Sequence, residues 1–131
     1  MEWIVLPERA PIIGRSMYAH LRALQSRWLE GRTGCLWGIG VGCLDAIWLA
    51  SMYDAQLLCL QGWRGMDAEP RMGRLCERSL FSVICPVLFI EPQTETLPAF
   101  ANACVYRAES KAECDRAAER IIKSGGKSAH I

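Results

Sequence analysis

Apolar positions along the chain change their spacing several times, and each change marks an element. Trp3 to Leu6 is an apolar run closed by Pro7, too short for two helical turns, and reads as a strand. From Ser16 the pattern shifts: Met17, Leu21, Leu24 and Trp28 recur at helical intervals while Arg22, Gln25 and Arg27 fall elsewhere. This predicts an amphipathic helix that ends near Gly31, with His20 on its polar side.

Across the 27 residues from Gly34 to Leu60 the only charges are Asp45 and Asp54, so the stretch reads as buried or membranous. Gly34, Gly38, Gly40 and Gly42 make its first part a poor helix interior. Leu44 to Gln61 holds good helix formers with neither glycine nor proline, and a helix is predicted to begin near Cys43.

Gly62 to Gly73 combines glycines, a proline and mixed charges and reads as a loop, with a short helical turn or two through Glu77. Leu80 to Ile90 has the valine, isoleucine and phenylalanine of a strand, which Pro86 assigns to a sheet edge or a bulge. Phe100 to Tyr106 is a second strand. Ser110 and Glu113 are spaced as a capping box ahead of Cys114, Ala117, Ala118, Ile121 and Ile122, and Gly125 and Gly126 stop that helix. Lys127 to Ile131 then returns as a short strand.

The resulting order is strand, helix, helix, strand, strand, helix, strand. It predicts one α+β domain over residues 1–131: a ferredoxin-like split βαβ sandwich with an apolar helix inserted in its first half. A mainly α-helical bundle is the alternative, because the glycine-rich stretch is compatible with either.

Composition adds limits to this picture. A 51% hydrophobic chain of 131 residues is one that buries a core, and a formal charge of only +1 gives no global pull toward nucleic acid or anionic lipid. Seven cysteines, most of them among apolar residues, behave as small hydrophobes rather than as a disulfide framework. The first fifteen residues carry Glu2, Glu8, Pro7 and Pro11 in place of a secretory pattern. Reduced thiols and no leader imply a cytoplasmic protein.

Candidate chemistry is sparse. Gly34, Gly38, Gly42, Ala46 and Ala50 fall every four residues, so a continuous helix would carry them as one small-residue strip, an expected oligomer contact; internal close packing and a glycine-rich loop are the alternatives. A membrane span over Cys35 to Tyr53 is disfavoured by Asp45 at its centre. Asp45 and Asp54, nine residues apart, would face opposite sides of one helix, so each is expected to bond separately to an arginine or a backbone amide. The two histidines have no partner in sequence, and no spacing calls for a metal or a cofactor. Gly-x-Ser-x-Gly is absent. Gly125-Gly126-Lys127-Ser128 imitates the end of a phosphate loop but follows a helix and has Ile121 where the first glycine belongs.

Arg64, Arg71, Arg74 and Arg78 gather beside Trp63, diluted by Asp67, Glu69 and Glu77. Tryptophan and arginine anchor interfaces more than other residues do. The expected function is therefore a non-enzymatic protein-binding domain with Trp63 and these arginines at the contact. Such a domain would act as an accessory subunit or as an inhibitor of the kind mobile elements carry against host machinery. A nucleic-acid or phosphate-ligand module using the same arginines, with Arg116, Arg120 and Lys123, is the second expectation. A membrane-associated small protein is the third.

Overall fold

The computed structural model describes residues 2–14, 16–94 and 96–124. Among these residues five strands form one sheet: β1 (Ile4–Leu6), β2 (Cys35–Ile39), β3 (Leu57–Gln61), β4 (Val87–Ile90) and β5 (Val105–Ala108). They lie side by side in chain order, and every pairing is parallel. Helices α1 (Met17–Glu30), α2 (Gly42–Met52) and α3 (Pro70–Ser79) connect successive strands, and α4 (Lys111–Lys123) follows β5.

The mixed helix and sheet class is as predicted, while the ferredoxin-like arrangement is not: a split βαβ sandwich needs antiparallel pairs, and this sheet has none among its described strands. A chain that always steps to the same side by right-handed crossovers must lay its connecting helices on one face. The core shows that result. Leu24 of α1, Leu44 and Ile47 of α2 and Met72 of α3 pack with Leu36, Leu58, Leu60, Val87 and Phe89. The long β4–β5 connection adds Leu97 and Phe100 to the same layer. Helix α4, the last element of the described residues, lies over the other face, where Cys114, Ala117, Ala118 and Ile121 meet Cys35, Leu57, Cys59, Leu88 and Ile90.

Burial on both faces explains the expectations that failed. Strands of a covered parallel sheet lose the alternation of polar and apolar positions, and Leu57–Gln61, apolar up to Gln61, was indistinguishable from the end of a helix. The predicted helix over Leu44–Gln61 is thus α2 followed by β3, and Cys35–Ile39 is a strand rather than a glycine-rich approach to a helix. Leu80–Ile90 is a 3₁₀ turn (Leu80–Ser82) and then a four-residue strand. Pro86 does not mark an edge or a bulge. It immediately precedes β4, which lies inside the sheet, and its carbonyl accepts a hydrogen bond from Leu58 N at 3.0 Å.

The small-residue strip is divided between a strand and a helix. Gly38 lies in β2 where a Cβ would come 2.6 Å from Cys43 Cα, so its glycine lets α2 press on the sheet. At Gly42 a Cβ would come 2.2 Å from the Leu6 carbonyl oxygen and 2.4 Å from that of Pro7. Ala46 and Ala50 are buried in the same core and Gly34 packs near Gln56 and Trp28. The strip serves packing within the chain: Gly38, Gly42, Ala46 and Ala50 are all buried in it. No helix among the described residues is long and apolar enough to cross a membrane. The expected return strand over Lys127–Ile131, the glycine stop and the phosphate-loop imitation lie outside the described residues.

Candidate functional site

The carboxyl ends of the strands are where open α/β sheets bind ligands, and here that edge is braced by the chain's own charges. Asp45, in the first turn of α2, is 3% exposed. Arg9, in the loop after β1, grips it with both ends of the guanidinium fork, Nε at 2.7 Å from Oδ2 and Nη2 at 2.8 Å from Oδ1. His20 of α1 places Nε2 2.9 Å from Oδ1. Burial acts to raise the Asp45 carboxyl, but the hydrogen bonds and charges of Arg9 and His20 outweigh it and hold the group below its ordinary value. The expectation that Asp45 bonds an arginine holds. His20 is not on the polar side of its helix. It stands three residues after Met17 and four before Leu24, on the face that meets α2.

A second carboxylate occupies the start of α2. Glu8 Oε1 accepts the Val41 N–H at 3.1 Å, and Arg64 Nη2 meets Glu8 Oε2 at 2.8 Å. A helix N-terminus favours an anion, and here the chain supplies one from its own side chains. Arg64 is thereby drawn away from the other arginines. Trp63 is not a contact residue: it is 1% exposed, donates Nε1–H to the Thr96 carbonyl at 2.7 Å and packs edge-on against Phe89.

Arg71, Arg74 and Arg78 form a separate group. Helix α3 is capped by the buried Glu69, whose carboxylate accepts the Met72 N–H at 2.7 Å, and Pro70 supplies the preset φ of its first turn. At about 100° per residue the three arginines fall within an arc of about 60°, opposite the buried Met72, Gly73 and Cys76. All three are exposed. The chain leaves α3 by the 3₁₀ turn, which exposes Phe81 (61%) and Ile84 (67%) within six residues of Arg78. The sequence reads as a loop as far as Gly73 with a short helical turn or two through Glu77, which splits the spacing 71, 74, 78 that the full helix Pro70–Ser79 brings onto one face.

Arg116, Arg120 and Lys123 also share one exposed stripe, on α4. Because α3 and α4 pack on opposite faces of the sheet, the two basic stripes do not merge into one surface. Asp54 is exposed at the far end of the sheet, beside a cleft of about 330 Å³ that Trp28, Arg32, Gly34 and Gln56 also line.

The thiols divide by environment. Six of the seven cysteines are buried and Cys104 is exposed, all of them unpaired. Burial pushes the Cys43 and Cys85 thiols up to about 12, which keeps them protonated and unreactive. Comparison of the chain with protein-family models, with curated proteins and with solved structures gives no match.

Proposed function

We propose that this domain is a protein-binding module, an accessory subunit or an inhibitor, that docks an acidic segment with apolar side chains from its partner against the outer face of α3 and the turn after it. The observation that carries the reading is the exposed stripe of Arg71, Arg74 and Arg78 running toward Phe81 and Ile84. Three arginines against one glutamate, Glu77, make this helix face basic, and large apolar side chains beside arginines are the composition of interface anchors. The separation of the α3 and α4 stripes by the sheet favours a compact protein partner over a nucleic acid tracked by both.

The test is affinity capture with the tagged full chain from the cell that expresses it, with nuclease treatment. The comparison is between the natural chain, an Arg74→Glu/Arg78→Glu chain, a Phe81→Ser/Ile84→Ser chain and an α1 control, Tyr18→Ala/Leu29→Ala. A stoichiometric, nuclease-resistant protein retained by the natural chain and the α1 control but lost from both α3 variants is expected. Loss of all bound material on nuclease treatment would replace this reading with a nucleic-acid module, and equal capture by all four chains would place the contact elsewhere.

A further inference from the structure

On the face of the sheet away from α1, α2 and α3, Cys59 of β3 and Cys114 of α4 bring their sulfurs to 2.9 Å although they are 55 residues apart in the chain. Both side chains are fully buried. The approach follows from the composition of α4: Cys114, Ala117 and Ala118 are small, so the helix settles close onto Leu57, Cys59 and Leu88. Two side chains at the start of α4 reach across to Trp3 and Trp37. Lys111 lies between the rings of Trp3 and Trp37, its Nζ 4.4 Å and 4.1 Å from their centroids. Asp115 accepts from Lys111 Nζ at 2.7 Å and from Trp3 Nε1 at 2.7 Å. Cys114 therefore stands between two anchored residues and opposite one particular thiol.

We propose that Cys59 and Cys114 are a dithiol pair that closes to a disulfide in the folded protein, with a hydroperoxide as the oxidant. The two sulfurs are not equivalent. Cys59 donates its S–H to Cys114, and this hydrogen bond, with help from the Lys111 ammonium, holds the Cys114 thiol below its ordinary value against the opposing effect of burial. The same hydrogen bond, in which Cys59 is the donor, and burial move the Cys59 thiol upward. Cys114, in the first turn of α4 and three residues after Lys111, is thus the attacking sulfur, and Cys59, in the middle of β3, the resolving one.

The chemistry balances in two steps. The Cys114 thiolate attacks one oxygen of hydrogen peroxide; the S–O bond forms, the O–O bond breaks, and the departing hydroxide takes the proton that Cys114 released, leaving as water. The Cys59 sulfur then attacks the sulfenic sulfur; the S–S bond forms, the S–O bond breaks, and a second water leaves with the Cys59 proton. Two thiols lose two electrons and the peroxide gains them. Access comes from local opening of α4, whose buried contacts on the sheet include three small side chains and only one large one, Ile121. Closure would fasten the last helix to the middle of the sheet.

The experiment adds stoichiometric hydrogen peroxide to the reduced full chain, quenches with acid, alkylates the remaining thiols and maps the peptides by mass. The expected product is a monomer with Cys59 linked to Cys114. Its melting temperature should be roughly 10 °C or more above that of the reduced chain, a shift reversed by dithiothreitol. In Cys59→Ser, dimedone should trap a sulfenic acid at Cys114, whereas Cys114→Ser should leave Cys59 reduced. Oxidation confined to the exposed Cys104, with Cys59 and Cys114 both alkylated after denaturation, would overturn the proposal. This mapping is made on the natural chain and depends on no variant's folding. Equal oxidation of Cys59 and Cys114 in the two single variants would overturn the assignment of Cys114 as the attacking sulfur.

Discussion

Arg9 holds Asp45 through both carboxylate oxygens, at 2.7 Å and 2.8 Å, and so ties the loop after β1 to the first turn of α2. A bidentate pair of this kind is geometrically specific, and removing one partner strands the other. Asp45→Asn should therefore cost about 2–4 kcal/mol at pH 7, somewhat below the usual figure for a broken buried pair because the Arg9 side chain is 19% exposed. Chemical denaturation of the two chains measures it.

The same carboxylate makes the difference between these chains depend on pH. Its folded value is depressed, so its stabilisation is fully present above the unfolded carboxylate value of about 3.9 and is lost as pH falls through the lower folded value. The gap between the natural chain and Asp45→Asn should narrow as pH falls below about 4. A gap that widens with acid would show that Asp45 is not held as its anion.

Gly42 tests whether the small-residue strip is internal packing. A Cβ there would come within 2.4 Å of both the Leu6 and Pro7 carbonyl oxygens, so Gly42→Ala must push α2 away from β1. The expected cost is about 2 kcal/mol or more, in the range of overpacked cores. Thermal unfolding with parallel mass measurement in solution checks it: lower stability at an unchanged mass is predicted.

Trp63 should behave as a core residue rather than as an interface anchor. Trp63→Ala is expected to lose about 3–5 kcal/mol of stability. Trp63→Phe, which keeps most of the packing against Phe89 but loses the hydrogen bond to Thr96, should lose about 1–2 kcal/mol and keep the partner. Loss of binding by a Trp63→Phe chain of near-natural stability would contradict this.

Arg74 and Arg78 should show the reverse. On an exposed helix face, alanine is well tolerated, so Arg74→Ala/Arg78→Ala should change stability by about 1 kcal/mol or less in total. Equilibrium unfolding in urea decides the point. A larger loss would make these arginines part of the fold.

Local signals in the sequence were legible where one face of an element meets solvent. Met17, Leu21, Leu24 and Trp28 do face the core from α1, and α4 begins after Ser110 as its spacing predicted. Even there neither bond of the capping box is made: Glu113 accepts the Glu109 N–H, one residue before the cap, and the Ser110 side chain makes no capping bond. Legibility failed where burial is two-sided. Cys35–Ile39 and Leu57–Gln61 carry no alternation to mark them as strands, and their parallel pairing depends on crossovers that local pattern does not encode. The site residues followed the same division. That Asp45 needed a partner was clear from its apolar surroundings, but Arg9 and His20 are 36 and 25 residues away and are brought to it only by the β1–α1–β2–α2 topology. The arginines of α3 were found as a cluster, though their sharing of one stripe became visible only with the helix. A tryptophan beside glycines and arginines reads as exposed, and Trp63 is buried because the strand before it is the central one.

The affinity of the captured partner for the natural chain, set against its affinity for Arg78→Ala/Phe81→Ala by titration calorimetry, tests the docking face most directly. Hot-spot truncations of this kind cost about 2 kcal/mol or more together; a Kd weakened by roughly 30-fold, at unchanged melting temperature, is predicted. An unchanged Kd in a folded double variant would contradict the assignment of α3 and its following turn as the binding surface.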